Sequence, residues 1–129
     1  MPATYEPIAT TKLTSAQSSV TFSSLGSDTD LRIVVCAGNA SGVSAVGVRY
    51  NSDSGSNYSW TRFYGDGSSV TSNRNSDTAA YFGIIGTSIA EVFTIDIMNY
   101  RNTNVHKTAI SRTNEPANYV GTYVNLWRN

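Results

Sequence analysis

The chain has 129 residues, of which 40% are hydrophobic and only 14% charged, with nine acidic and nine basic side chains and a formal net charge of zero. This length fits one domain with its own hydrophobic core. The sparse, balanced charge offers no basic stripe for nucleic acid, and no apolar run nears the roughly 20 residues of a membrane-spanning helix.

The opening MPATYEPIATTKL lacks the basic start and apolar centre of a signal peptide, so the chain is expected to stay in the compartment where it is made. Tyr5 to Thr11 reads as a first extended segment, and Pro7 puts it at a sheet edge or outside the sheet. Ser19 to Ser23 alternates, with Val20 and Phe22 on one face. Gly26–Ser27–Asp28 turns the chain into Leu31–Ala37, a dense apolar run holding the single cysteine, Cys36, which is expected to be a small buried hydrophobe. Gly38 to Gly42 is a loop, and Ala45 to Tyr50 alternates with Val46, Val48 and Tyr50 on one face. After the polar loop Asn51 to Asn57 comes the aromatic strand Tyr58–Tyr64, closed by Gly65–Asp66–Gly67, a hairpin signal because Gly and Asp accept positive φ cheaply.

Ser68 to Asp77 is polar, with a short strand expected near Val70. Ala79 to Ile85 reads as a buried strand, Ser88 to Glu91 as at most one helical turn, and Val92 to Met98 as a strand with Phe93, Ile95 and Ile97 facing the core. Val105 to Ser111 and Tyr119 to Trp127 complete the set, separated by the break Glu115–Pro116–Ala117–Asn118. About nine strands separated by turn signals, without helical periodicity, predict an all-β fold: a single antiparallel β-sandwich of jelly-roll type over residues 1–129, with an extended N-terminal arm over about the first 12 residues.

Residues able to carry chemistry are few. Most carboxylates sit in turn contexts, where Asp caps its own backbone. Asp96 alone lies inside a strong strand, on the Thr94/Met98 face, where it is expected to be solvated or paired with an arginine. His106 is the only histidine and has no partner at zinc-ligand spacing. No G-x-S-x-G elbow occurs. The loop Asn51–Asn57 is oxygen-rich but lacks the terminal Glu of an EF-hand, so an Asx-rich turn is favoured over a calcium site. No catalytic, cofactor-binding or metal-binding residues are therefore assigned, and no cofactor is expected.

The aromatics are the remaining candidates. Tyr58, Trp60 and Tyr64 share one face of one strand, and Tyr119, Tyr123 and Trp127 nearly repeat the pattern. Such rows form a core or a subunit interface, or, where exposed, a platform for sugar rings. Arginine outnumbers lysine seven to two, which suits planar contacts at interfaces.

The segments Met1 to Thr11 (MPATYEPIATT), Val20–Thr21–Phe22–Ser23–Ser24, Thr29–Asp30–Leu31–Arg32, Val48–Arg49–Tyr50–Asn51, Gly55–Ser56–Asn57–Tyr58–Ser59, Thr94–Ile95–Asp96–Ile97 and Leu126–Trp127–Arg128, in this order, look like those of a group of small tailed-bacteriophage proteins. The chain resembles that group over nearly its whole length. Members of the group are described mostly only as structural or uncharacterised, so the resemblance supplies no catalytic residues. Similar chains continue past Leu-Trp-Arg with further strands and a Gly/Thr-rich ending, whereas this sequence ends at Asn129. A missing strand pair, or one supplied by a neighbouring subunit, would account for the difference.

The resemblance implies a virion component or a phage tail-associated protein, and the expected reading is a non-enzymatic structural protein made in the host bacterial cytoplasm. The leading expectation is a capsid-surface decoration or cement protein, a trimer or small homo-oligomer in contact with other virion proteins such as the major capsid protein. The alternative is a tail-fibre or receptor-binding module for host-surface glycans. Neither reading calls for a nucleic acid or a membrane as partner. Candidate contact residues are Pro2, Tyr5, Pro7 and Ile8 of the arm, and Tyr58, Trp60, Tyr64 and Trp127 of the aromatic rows.

Overall fold

The computed structural model describes residues 5–128. Eight strands follow one another: β1 (Leu31–Ala37), β2 (Ser44–Val48), β3 (Tyr58–Gly65), β4 (Val70–Asp77), β5 (Ala80–Ile85), β6 (Glu91–Met98), β7 (Lys107–Glu115) and β8 (Tyr119–Trp127). They form a six-stranded sheet in the order β1-β6-β7-β8-β3-β4 and a two-stranded sheet of β2 and β5. All pairings are antiparallel. The small sheet packs on one face of the large one, mainly through β5 against β7 and β8. The result is an all-β sandwich of unequal layers.

Period-two alternation builds the core. In β6, Phe93, Ile95 and Ile97 point inward while Val92 and Met98 point out, as the sequence predicts. These side chains meet Phe82 and Ala80 of β5, and Tyr58 and Trp127 close one end. Each large apolar side chain so buried contributes roughly 1.5–3 kcal/mol. In β7 the inward row is mostly polar: Lys107, Ala109, Ser111, Thr113 and Glu115. Those groups stay inside because they find partners. The Lys107 Nζ donates to the carbonyls of Asn102 and Val105, and Ser111 Oγ accepts from the Tyr123 amide.

Several expectations are corrected. The strand count is eight, not about nine. Tyr5–Thr11 and Ser19–Ser23 are not strands, and the whole stretch from residue 5 to residue 30 carries none. Alternation there is present, but no neighbouring strand accepts its backbone bonds. Instead the stretch is tied down at its ends. The Tyr5 ring lies 4.6 Å from the Arg32 guanidinium carbon, and the Tyr100 amide donates to the Thr29 carbonyl at 3.0 Å.

The polar segment after Tyr64 is a full edge strand, because its hairpin is locked. Asp66 Oδ1 accepts the amides of Ser68 and Ser69, both at 2.9 Å, and Gly65 then pairs with Val70. Ser88 to Glu91 forms no helical turn; Glu91 opens β6, and one 3₁₀ turn occupies Pro116–Asn118. Cys36 is exposed, not buried. The alternation of β1 begins with Leu31 facing inward, so odd positions face the core and Arg32, Val34 and Cys36 face out.

Candidate functional site

Six strands cannot be covered by two. The inner face of β3 and β4 therefore lies beside β5 rather than under it, and a groove of about 240 Å³ opens there. Its walls include Trp60 and Arg62 from β3, Asn73 and Asp77 from β4, Tyr81 from β5 and Tyr123 from β8. The register explains the gathering. Trp60 stands opposite Asn75 and Asn125, while Arg62 stands opposite Asn73 and Tyr123, so one row of the sheet aligns these groups.

Trp60 meets Tyr81 edge-on at 6.2 Å between ring centroids and tilts against Tyr123 at 5.9 Å. The Arg62 guanidinium lies over the Tyr64 ring, 3.6 Å from its centroid, and its Nη2 pairs with a Glu115 oxygen. Glu115 is almost wholly buried, and burial raises its carboxyl above the usual range while the Arg62 charge opposes the shift. Burial, followed by the Glu115 charge, raises the Tyr123 phenol. Trp60 Nε1 and Arg62 Nε are buried and have no hydrogen-bond partner among the described residues.

A larger hollow of about 620 Å³ lies at the opposite end of the chain's turns, between the 86–91 loop and Pro116–Val120. Of its two deeply buried carboxylates, Glu91 is engaged by the Gly86 amide at 3.1 Å and Glu115 by Arg62.

The candidate contact residues separate into three groups. Tyr58 and Trp127 belong to the core, at 0% and 4% exposure, and offer no surface to a partner. Tyr58 stacks with both Tyr50 and Trp127, and its hydroxyl donates to the Asp53 carbonyl at 3.0 Å. Trp60 and Tyr64 are half-buried on the groove side, Tyr64 edge-on to Tyr119 at 5.4 Å. Tyr5, Pro7 and Ile8 are exposed; Pro2 lies outside the described residues.

The 51–57 loop is an Asx turn. Asp53 Oδ1 accepts the Gly55 amide at 2.8 Å, and Oδ2 accepts Asn57 Nδ2 at 3.0 Å and Trp127 Nε1 at 2.6 Å. Among the described residues, no three His, Cys, Asp or Glu side chains gather as a metal site would require. Asp96 pairs with Arg32 through two bonds of 2.5 and 2.8 Å on the outer face. Sequence reasoning missed the Arg62–Glu115 pair and the roles of Asn73, Asp77 and Tyr81. The spacing of Arg62 two residues from Trp60 and two from Tyr64 is the signal that could have placed it on the same face.

Comparison of the chain with family models, with curated proteins and with solved structures finds no match.

Proposed function

We propose that this protein is a non-enzymatic structural subunit of a tailed-phage virion, of the kind that decorates or cements the capsid surface as a trimer or small homo-oligomer. The phage assignment rests on the sequence resemblance. The adhesive mechanism rests on one observation: residues 5–30 form no strand yet expose large apolar side chains, including Tyr5 at 62%, Leu13 at 48% and Phe22 at 40%.

Exposed apolar side chains in a continuous arm are a poor solution for an isolated molecule and a good one for a subunit. The arm feeds β1, which ends the six-stranded sheet and keeps one backbone edge unpaired within that sheet. Ser19–Ser23 has the alternation needed to add as a strand to such an edge on another copy, giving backbone bonds together with burial of Val20 and Phe22. The outer sheet face adds Val34, Met98, Ile110 and Val124 as further exposed apolar contacts.

Sedimentation equilibrium of the full chain tests this reading. The wild type is expected to associate, and Val20→Asp combined with Phe22→Asp to yield folded monomers with an unchanged near-UV spectrum. A wild-type chain that stays monomeric at high concentration contradicts the mechanism. Immunogold labelling of intact particles tests the location: label on head surfaces supports it, and absence of the protein from purified virions removes it.

A further inference from the structure

We propose that the groove beside Trp60 binds a neutral saccharide ring. This site is separate from the arm and does not depend on the virion reading.

The walls combine the two surfaces that a sugar requires. One is an aromatic lining, supplied by the half-buried Trp60 and Tyr81 with the buried Tyr123 packed against Trp60, against which the C–H face of a pyranose ring can lie. The other is a set of directed polar groups able both to donate to hydroxyls and to accept from them. Asn73 provides a carbonyl and an amide. Asp77 keeps Oδ2 as an acceptor beyond the bond its Oδ1 takes from the Thr78 amide at 2.8 Å. Trp60 Nε1 and Arg62 Nε, on two of the lining residues, are buried without a partner among the described residues, so it is the exposed Asn73 and the rim carboxylate of Asp77 that meet the ligand's hydroxyls.

Charge selects the class of ligand. The positive charge of Arg62 is matched by Glu115, and Asp77 adds a negative charge at the rim. A phosphate, sulfate or uronate would be repelled, whereas an uncharged polyol ring is not. The Tyr64 ring and Glu115 also hold the Arg62 guanidinium in place, so binding immobilises little that is not already fixed.

The chain has two tryptophans, Trp60 and Trp127, so its ¹H–¹⁵N spectrum should contain two indole signals, assigned with Trp60→Phe. Glucose, galactose, mannose and N-acetylglucosamine are titrated into the full chain, with glycerol and inorganic phosphate as comparators. At least one saccharide is expected to shift the Trp60 signal saturably, with a dissociation constant on the order of millimolar, leaving the Trp127 signal still. Asn73→Ala, on the exposed edge strand, is expected to weaken that binding on the order of fivefold, the worth of one hydrogen bond, without changing the fold. The proposal fails if none of the four saccharides gives a saturable shift. It fails equally if glycerol or phosphate reproduces the shift, if the two indole signals move together, or if Asn73→Ala binds as the wild type does.

Discussion

The indole of Trp127 donates a 2.6 Å hydrogen bond to the Asp53 carboxylate across 74 residues of sequence. The bond ties the end of β8 to the loop before β3, beside the Tyr58 hydroxyl, which bonds the Asp53 carbonyl and accepts the Tyr50 amide. One carboxylate and three aromatic rings thus seal this end of the sandwich.

Trp127→Phe keeps an aromatic ring in the core but removes the indole donor. We expect a loss of about 1 kcal/mol for the hydrogen bond, plus a smaller contribution from the missing ring volume. Asp53→Ala should lower the melting temperature as well, because it frees the Gly55 amide and Asn57 along with the indole. Urea unfolding of both variants checks this. A double variant no less stable than Trp127→Phe alone would show that the carboxylate acts chiefly through the indole.

Acid should destabilise the fold. Asp53 is held below the usual carboxylate range, first by Trp127 and then by Asn57 and the Gly55 amide. Asp66 is held low by the Ser68 and Ser69 amides, and Asp96 by its bonds to Arg32. For each, the unfolded chain takes up the proton first. The stabilisation is therefore complete above the unfolded value of about 3.9 and is lost as pH falls toward the folded values. Glu115 works in the opposite direction: its raised folded value means that protonation relieves a buried charge, so its contribution improves as pH falls through that value. Three groups oppose one, and the urea midpoint should fall below about pH 4. Glu115→Gln should remove the gain in stability expected as pH falls toward the ordinary carboxylate value, leaving the fall below about pH 4 unchanged; persistence of that gain would contradict the assignment.

Gly121 occupies a position with no room for a side chain. A Cβ there would stand 2.7 Å from the Phe63 carbonyl oxygen and 3.0 Å from Tyr64 Cβ. Gly121→Ala should force β3 and β8 apart at that row and cost about 1–3 kcal/mol by overpacking. The unfolding midpoint measures it, and a neutral result would show that the two strands can separate locally at no cost.

Cys36 lies on the outer face of β1 and should react in the native state. Maleimide labelling of dilute protein is expected to proceed at a rate within about tenfold of that of an unstructured thiol. If arms pack over β1 on association, raising the protein concentration should slow the labelling. Equal rates at low and high concentration would place any subunit contact elsewhere.

Much of the fold was legible from alternation. Phe93, Ile95 and Ile97 face the core as their spacing requires, and the Gly65–Asp66–Gly67 signal marks the hairpin into β4. Cys36 misled because a dense apolar run fixes no phase: Leu31 and Arg32 set which neighbours turn inward, and hydrophobicity alone cannot. Val20 and Phe22 misled differently, since a strand needs a partner and local pattern does not supply one. The groove was least legible. Asn73, Asp77, Tyr81 and Tyr123 lie on three different strands; the β3–β4 and β3–β8 registers align Asn73, Asp77 and Tyr123 with β3, and the packing of β5 on the large sheet brings Tyr81 to Trp60.

The two borders of the large sheet are chemically unlike. At β4 the last strand is made of Ser, Asn and Thr with an exposed Arg74 and a terminal Asp77, and Val70 is its one apolar side chain. A second molecule arriving edge-on gains little dry contact there. Head-to-tail addition of β1 onto β4, the arrangement that would run on into a fibre, is thereby discouraged. Contacts made through β1 are left to close: two β1 edges meeting form a pair, and an arm laid on a neighbour's β1 forms a finite ring.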